Sequence, residues 1–411
     1  MNSVKRTQRA LLVAMFVSSI PATLILPMLP SLGKAFDVGP TQLGLLVGVY
    51  PLMSMLASPF WGRLSDRYGR KPILLITLIG GASAFILFAF SASWVGLFIG
   101  RAMQGLAGTP RGIGFAVASD LSKQDNRAIK IGLVTAAMAV AFTVGPLIGG
   151  FFMGEDPDSW LGKFRIWVGL PGSGFNHVLP SLLGAAMNFL GALFILFGLS
   201  ETNQRLTKHQ KNKNEAEKRE KISAPIFEFS LVLAIGIFLL SGFIQGSLQF
   251  SFTLWADISL GWTAQIIAFS GMAIGIGFAL GSGILLKPMI NHYGQEKTVL
   301  YGTITDGIGL LFFLYFLGSP LIALAGLLIA AMGNSLWATT ILGLISKNIN
   351  DKNQGLGLGV ANGAALFGRV AGPAFAGYLA GNIGPNAPFA IILLCVSLAI
   401  ARGIGLVRNA N

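Results

Sequence analysis

The ten residues from Gly62 to Lys71, GRLSDRYGRK, combine four cationic side chains with a single carboxylate, Asp66. Almost no charge lies on either side of them: LGLLVGVYPLMSMLASPFW precedes the stretch and ILLITLIGGASAFILFAF follows it. Gly62 and Gly69 permit a tight reversal of the chain between two helices. The pattern predicts a helical hairpin that crosses a membrane twice, with a cationic loop held at the membrane surface by anionic lipid.

The whole chain shares the composition of these flanking runs. It has 411 residues, of which 53% are hydrophobic and 11% are charged, whereas a soluble domain is about 25% charged. Apolar runs long enough to cross a bilayer recur along its length. We therefore predict an all-α, multi-pass membrane protein.

Hydropathy predicts twelve spans, which we expect to form two pseudo-symmetric six-helix bundles. The predicted organisation is an N-terminal bundle over residues 1–200, a cytoplasmic linker over 201–227 and a C-terminal bundle over 228–411. The predicted spans are 11–32, 43–61, 73–91, 94–118, 131–153, 181–200, 228–254, 264–286, 298–317, 320–345, 356–381 and 387–406.

The positions of the cations indicate the orientation. If the N-terminus is cytoplasmic, the cytoplasmic segments contain most of the 29 lysines and arginines, and the outer loops contain only Lys34, Lys163 and Arg165. Such a bias fixes topology, so we predict that both termini are cytoplasmic and that the protein lies in the plasma (inner) membrane. The net charge of +13 then requires no nucleic-acid partner.

The two halves resemble each other. At an offset of about 225 residues, Tyr68-Gly69 recurs as Tyr293-Gly294 within KPMINHYGQEK, residues 287–297. At nearly the same offset, Gly145-Pro146 recurs as Gly372-Pro373. A duplicated six-helix unit accounts for both matches, and transporters are commonly built from such repeats.

Four motifs in the first 150 residues resemble one family. GRLSDRYGRKP is similar to the loop between spans 2 and 3 of the major facilitator superfamily, and RAMQGLAG, AFTVGPLIGG and ILPMLP resemble motifs of its twelve-span drug:proton antiporters. The similarity is greatest to the tetracycline-exporter type. This resemblance implies alternating access between two bundles, proton-coupled export and a small-molecule substrate.

The resemblance also assigns a role to the cationic loop. It implies that Asp66 caps the cytoplasmic N-terminus of span 11, near residues 355–359, while pairing with a neighbouring arginine. A carboxylate at a helix N-terminus gains about 0.3–1 kcal/mol. The alternative is a loop that only determines topology. The residues of this predicted latch are Gly62, Asp66, Arg67, Gly69, Arg70 and Lys71.

The motif in span 5 contains Gly145, Pro146, Gly149 and Gly150. Pro146 removes a backbone donor and bends the helix, and the glycines permit close packing against a neighbouring helix. In the family this motif seals the pathway against leak and accompanies export. Generic helix packing is the alternative.

Ionisable groups inside the spans are candidates for substrate binding and coupling, since each costs about 2.5–3.5 kcal/mol at the membrane centre. Asp306 is either a structural partner of an arginine or a proton carrier. In tetracycline-type pumps span 1 contains an acid, and that position is Ser18 here. The candidates are Arg101, Arg111, Arg369 and Asp306, with Gln245 and Asn362 as possible polar lining.

A cavity with surplus guanidinium groups favours carboxylates, phosphates or phenolates. We therefore predict a secondary active exporter of a drug or an anionic or zwitterionic metabolite, proton-coupled and monomeric, surrounded by lipid. No nucleotide-binding loop, nucleophile–base constellation or metal-ligand set appears, so we predict neither enzymatic activity nor a cofactor. The alternatives are an importer or symporter of an organic anion or siderophore, and a non-transporting receptor or lipid flippase.

Overall fold

The structure is a computed structural model. It describes residues 2–107, 110–121, 127–153, 158, 160–167, 169, 176–202, 229–315, 319–347 and 354–410. Every regular element in these ranges is helical. The predicted linker, 201–227, lies outside the described residues apart from its first two positions.

The helices are numbered in chain order. Those of the first half are α1 (Asn2–Ser19), α2 (Pro21–Phe36), α3 (Pro40–Tyr68), α4 (Arg70–Ala89), α5 (Trp94–Leu106), α6 (Pro110–Asp120), α7 (Arg127–Phe152), α8 (Trp160–Trp167) and α9 (Val178–Gly198). Those of the second half are α10 (Phe229–Leu260), α11 (Ala264–Phe278), a π-helical segment (Ala279–Leu285), α12 (Leu286–Tyr315), α13 (Pro320–Lys347), α14 (Gln354–Asn382) and α15 (Ala387–Ala410).

Within the described part of the chain, seven segments are helical, long and apolar enough to cross a membrane. The longest, Ala264–Leu314, joins the predicted spans 8 and 9 through a helical connection. Inside it Gly294 has φ 81° and ψ 171°, so two helices meet there at a kink. The hydropathy signal therefore located these spans but not the helical conformation of the segment that joins them.

Two predicted spans are divided by a break before a proline. Span 94–118 becomes α5 and α6, because α5 ends at Leu106 and Pro110 occupies the first position of α6. Span 11–32 becomes α1 and α2, with Ile20 between them and Pro21 opening the second helix. Proline disfavours the helical conformation of the residue that precedes it and is well tolerated at the first helical position. The expectation that Arg101 and Arg111 share one helix is therefore wrong.

The chain packs as two compact units, each with its own core. Unit 1 comprises Met1–Ile25, Leu52–Gly145 and Asn176–Ser223. Its core is aliphatic and is built from residues such as Leu11, Leu74 and Ile195. Leu74 and Ile195 are completely buried. The division at residues 201–227 that hydropathy suggested remains a prediction.

Unit 2 comprises Leu26–Pro51, Pro146–Phe175 and Ala224–Asn411. Its core is largely aliphatic but contains a cluster of aromatic rings, in which the ring of Phe313 lies 5.0 Å from that of Trp255 and 5.1 Å from that of Phe389. The Phe313–Trp255 pair is edge-to-face, and such pairs stabilise a core beyond the apolar area they bury.

Helices α12 and α13 approach closely because glycines face each other. A Cβ atom added to Gly309 or to Gly333 would overlap the backbone of Ala330 or Asp306. At Gly326 the added atom would lie 2.6 Å from the backbone nitrogen of Phe313. Small residues permit such close approach in membrane helix pairs.

Candidate functional site

The cationic loop is a one-residue joint. Helix α3 continues through Asp66 to Tyr68, and α4 begins at Arg70. Gly69 alone separates the two helices, and its φ of 108° and ψ of 156° form a conformation that is essentially restricted to glycine. The predicted reversal is thus made by Gly69. Gly62 lies within α3, and an added Cβ atom there would meet nothing within 4 Å, so its predicted part in the turn is wrong.

Arg70 organises an ionic network that joins three helices of unit 1. Its Nη1 lies 2.7 Å from Asp66 Oδ1, and its Nε lies 3.1 Å from Asp120 Oδ2 at the end of α6. Nη1 also donates to Ser65 Oγ at 2.7 Å. The Arg70 side chain is only 14% exposed, so these charge-assisted bonds form largely out of solvent and are stronger than bonds between neutral groups.

Glu201 binds the first turn of α4. Its Oε1 accepts a hydrogen bond from the Arg70 backbone N–H at 2.9 Å, and its Oε2 accepts one from the Lys71 N–H at 3.2 Å. The first N–H groups of a helix have no partner within the helix and attract a negative charge. A carboxylate just beyond α9 therefore supplies the cap that Gly69 lacks, since Gly69 has no side chain.

Cations bind the last carbonyl groups of α9, at the same end of the helix as Glu201. Lys71 Nζ donates to the carbonyl oxygen of Leu196 at 2.7 Å, and Arg6 Nη2 donates to that of Phe197 at 2.9 Å. The last carbonyl groups of a helix carry partial negative charge, which cations stabilise. Together with Glu201, these contacts tie α1 and α9 to the start of α4.

Arg67 and Asp66, two residues of the predicted latch, are more exposed to solvent than Arg70. The Arg67 guanidinium lies 5.3 Å from the centre of the Tyr68 ring, a cation–π contact. The Asp66 side chain is 55% exposed. The helix that Asp66 is predicted to cap, α14, begins at Gln354, but the side chains of residues 354–362 lie outside those the structure describes. The latch between Asp66 and span 11 remains a prediction.

Arg101 lies on the buried face of α5 and is 4% exposed. Its Nη1 donates to Gln104 Oε1 at 2.9 Å, and Gln104 is equally buried. The two residues are separated by three positions, which places them on the same face of a helix. That spacing within RAMQGLAG could have indicated Gln104, which the sequence analysis did not single out.

Arg111 lies on α6 and is half-buried. Its Nε atom is buried and has no hydrogen-bond partner among the residues that the structure describes. Arg101 and Arg111 both belong to unit 1, each on its own helix.

Asp306 is completely buried between α12 and α13. Its Oδ2 accepts hydrogen bonds from Trp337 Nε1 at 3.0 Å and from Asn334 Nδ2 at 3.2 Å, while Oδ1 has no partner in the described part of the chain. The expected arginine partner is not found among the described residues, so that expectation is wrong. Two neutral donors satisfy one oxygen instead.

Arg369 lies on α14, half-buried, in unit 2. A Cβ atom added to Gly246 of α10 would lie 3.3 Å from the Arg369 Cα atom, so the two helices are in close contact there. Gln245, the adjacent residue on α10, is also half-buried. The side chain of Asn362 lies outside the described residues. The structure thus places Gln245 and Arg369 on neighbouring helices of one unit.

The span-5 motif is buried within α7 at Gly145, Pro146, Gly149 and Gly150. An added Cβ atom on Gly145 would overlap Thr23, and one on Gly150 would lie 2.5 Å from the Phe269 ring. These positions therefore accept no larger side chain. The sealing role of the motif remains a prediction.

A contact that the sequence analysis missed lies in unit 2, where Lys34 Nζ is 2.6 Å from Asp257 Oδ1. Beside it, an added Cβ atom on Gly377 would lie 2.5 Å from the carbonyl oxygen of Pro40, and one on Gly48 would lie 2.9 Å from that of Val370. Ends of the first-half helices α2 and α3 are thus packed on α10 and α14. The sequence analysis places Lys34 among the three cations of the outer loops, and this placement was the only feature of the sequence that could have pointed to an ion pair there.

Comparison with known proteins identifies the family. The model of the Major Facilitator Superfamily matches residues 11–305 and 259–408. The chain belongs to that superfamily. It is therefore a secondary active transporter and not an enzyme, and its twelve transmembrane helices form two pseudo-symmetric six-helix bundles.

Curated relatives of this transporter are drug resistance proteins by name. It is 28% identical to the class E tetracycline resistance protein of Escherichia coli over 90% of this chain and 87% of that protein. It is 26% identical to multidrug resistance protein 1 of Bacillus subtilis over 97% of this chain and 95% of that protein. The predicted resemblance to tetracycline-type pumps is confirmed.

Solved structures show the same fold. The chain superimposes on a bacterial homolog of the human lysosomal transporter Spinster, crystallised in an inward-facing and occupied conformation, with a TM-score of 0.78 and 16% identity over 99% of this chain and 97% of that one. A D-xylose–proton symporter superimposes with a TM-score of 0.76 and 15% identity over 98% of this chain and 97% of that one. This transporter is a multi-pass protein of the inner membrane that moves a small molecule.

Proposed function

We propose that this transporter exports an anionic or zwitterionic small molecule in exchange for protons. The protein works as a monomer with both termini in the cytoplasm. Export is supported by its similarity to a tetracycline resistance protein and to a multidrug resistance protein over most of the chain. The absence of a nucleotide-binding loop from its sequence supports an ion gradient as the source of energy.

The charges inside the spans support the substrate class. Arg101, Arg111 and Arg369 lie in the spans, and the acid that could balance them, Asp306, is hydrogen-bonded to Asn334 and Trp337 instead. The carboxylate is therefore not a counter-ion of these arginines. The proposed substrate class depends on this observation about Asp306. Inside the spans, positive charge then exceeds negative charge, and an anionic group of the substrate can bind a guanidinium group in bidentate fashion.

Alternating access requires contacts that form at one face of the membrane and separate in turn. In the predicted orientation, the Lys34–Asp257 ion pair and the contact of Gly377 with Pro40 lie toward the outer face, where contacts of this kind close the pathway and separate for release. The Arg70 network lies at the cytoplasmic face, where the charge of Asp66 would cap span 11 when that face closes.

The test is transport by purified protein in proteoliposomes under an imposed pH gradient. We expect an anionic or zwitterionic fluorophore to be carried against its own gradient when protons are supplied at the opposite face. Changing Arg369 to Gln removes one charge-assisted interaction, about 1.5–3 kcal/mol, so the apparent affinity for the anion falls about 10- to 100-fold. A neutral amphiphile should be carried as before.

Arg402→Gln is the matched control, because Arg402 is an exposed arginine near the end of α15. If Arg369→Ala exports the anion normally and fails on the neutral solute, the proposed substrate class is wrong. Uptake by right-side-out vesicles would identify an importer. The absence of any gradient-dependent flux would identify a receptor or a lipid flippase.

A further inference from the structure

A cavity of about 580 Å³ opens where the start of α1 meets α9. The residues that line it are Lys5, Arg6, Arg9, Ala10, Val13 and Phe194. Three of them are cationic, three are apolar and none is acidic. Neither the proposed transport mechanism nor the Arg70 network uses this cavity.

The cationic and apolar parts of the cavity are separated along α1. Lys5, Arg9 and Val13 follow one another at intervals of four residues, so their side chains form one stripe on the helix. This stripe extends over about 12 Å at the rise of an α-helix. The cations lie at the end of the stripe nearest the N-terminus, and Val13 lies at the end within the predicted span. The cavity is therefore amphipathic along its length.

None of these three cations forms an ion pair with a residue that the structure describes. Lys5, Arg6 and Arg9 are exposed, and the first acid in the sequence is Asp37. Arg6 is held in place because its Nη2 donates to the Phe197 carbonyl oxygen at 2.9 Å, which uses one of the five donors of a guanidinium. The remaining donors of this cluster can bind an anion.

The apolar part continues onto an exposed face of α9. Val13 and Phe194 are each 38% exposed, and Phe197, one turn further along α9, is 71% exposed. Exposed apolar side chains of a membrane-spanning helix contact acyl chains. An anion that fits this cavity therefore has an apolar tail attached, which distinguishes it from a free inorganic ion.

We propose that the cavity binds one anionic phospholipid. Its phosphate lies among Lys5, Arg6 and Arg9, and an acyl chain lies along Val13 and Phe194. Basic pockets between transmembrane helices are suited to such head groups. Because Arg6 also binds the end of α9, the lipid would fasten α1 to α9.

The test measures lipid bound to the full-length protein by native mass spectrometry after purification from vesicles of equal parts phosphatidylglycerol and phosphatidylcholine. We expect the wild type to retain phosphatidylglycerol preferentially. The double variant Lys5→Gln/Arg9→Gln should retain about tenfold less, because each cation near an anionic head group contributes to binding. The matched control is Lys287→Gln/Lys297→Gln, which removes two exposed cations outside the cavity and should retain as much as the wild type.

A second pair of measurements tests the acyl chain. Val13→Ser/Phe194→Ala should also lower retention, and inorganic phosphate at millimolar concentration should leave retention unchanged. Equal retention by both charge variants, or no preference over phosphatidylcholine, would overturn the proposal. Displacement by inorganic phosphate with no effect of Val13→Ser/Phe194→Ala would show a soluble-anion site instead. These results do not depend on transport, so they stand apart from the export hypothesis.

Discussion

The two copies of the loop motif, residues 62–71 and 287–297, share a backbone conformation and differ in their charges. Gly69 has φ 108° and Gly294 has φ 81°, and each separates two helices after a tyrosine. Both tyrosines are contacted by the preceding residue: Arg67 lies over Tyr68, and the His292 ring lies 4.6 Å from that of Tyr293. The duplicated unit therefore retained its hinge.

The ionic network of the first copy has no counterpart among the described residues around the second. Arg70 binds Asp66 and Asp120 in the first copy, whereas no residue of 287–297 forms an ion pair with another residue that the structure describes. Gln295 stands at the position of Arg70, and its Oε1 is buried without a described hydrogen-bond partner. The turn between the two helices depends on backbone conformation, which both copies share. The proposed latch depends on charge, which the first copy has at Asp66 and Arg70 and the second copy lacks at Asn291 and Gln295.

The largest effect is expected when the hinge glycine of the first copy is replaced. Gly69→Ala forces a side chain into a conformation that costs about 1–3 kcal/mol and also displaces the Glu201 cap, worth about 1 kcal/mol more. The added Cβ atom would lie 2.5 Å from Glu201 Oε2. Thermal unfolding of the purified variant should show the loss.

Gly294→Ala is the comparison for this prediction. It incurs only the conformational cost, about 1–3 kcal/mol, because the nearest atom to its added Cβ is Glu296 Oε2 at 3.7 Å. Equal destabilisation by the two variants would contradict the proposed role of Glu201.

The next largest effect is expected for Arg70→Gln, which gives the first copy the residue of the second. Asp66 and Asp120 then lose their cation, at a cost of about 1.5–3 kcal/mol. The free energy of unfolding in denaturant measures this loss. Gln295→Ala, which removes a side chain from the second copy, should change stability by less than about 0.5 kcal/mol. Comparable losses in the two copies would show that charge does not distinguish them.

A smaller effect is expected for Glu201→Gln, which keeps the shape of the cap and removes its charge. The interaction with the first turn of α4 should weaken by about 0.5–2 kcal/mol, the range for loss of a helix cap. Amide hydrogen exchange at Arg70 and Lys71, whose N–H groups donate to Glu201, should accelerate accordingly. Glu296→Gln is the control in the second copy, and an equal increase in exchange at the helix that follows Gly294 would argue against the cap.

The smallest change in stability is expected for Asp66→Asn, which reproduces Asn291. A half-exposed ion pair contributes about 0–1 kcal/mol, and membrane insertion should be normal. Transport should nevertheless fall, because the proposed latch requires the charge of Asp66. Unchanged transport by Asp66→Asn would rule out the latch. A gain of transport in Asn291→Asp would show that the second copy can also act as a latch.

Local features of this protein could be predicted from its sequence. Span 43–61 falls within α3, and span 73–91 matches α4 except for its last two residues, because apolar length determines whether a segment enters a membrane. The positive φ of Gly69 follows from the need for a one-residue turn, which only glycine accommodates without strain. The breaks before Pro21 and Pro110 are consistent with the sequence, since proline disfavours the helical conformation of the preceding residue, but Pro146 lies inside α7, so a proline alone does not predict a break.

Contacts between residues far apart in sequence could not be predicted. Glu201 lies just beyond α9 and binds the N–H groups of Arg70 and Lys71 at the start of α4. Nothing in the local sequence of either segment indicates the other as its partner. Asp306 is bonded to a tryptophan and an asparagine where an arginine was expected. Each pairing depends on how two helices pack.

The order of apolar, charged and glycine residues along the chain was sufficient to predict a helical membrane protein, its repeat and the turn at Gly69, because transfer into lipid and backbone sterics act on each segment separately. Only the tertiary structure decided which carboxylate meets which donor, as with Asp120 at Arg70 and Asp257 at Lys34. A side-chain bond forms within about 3 Å, and that proximity is set by the packing of whole helices rather than by local sequence.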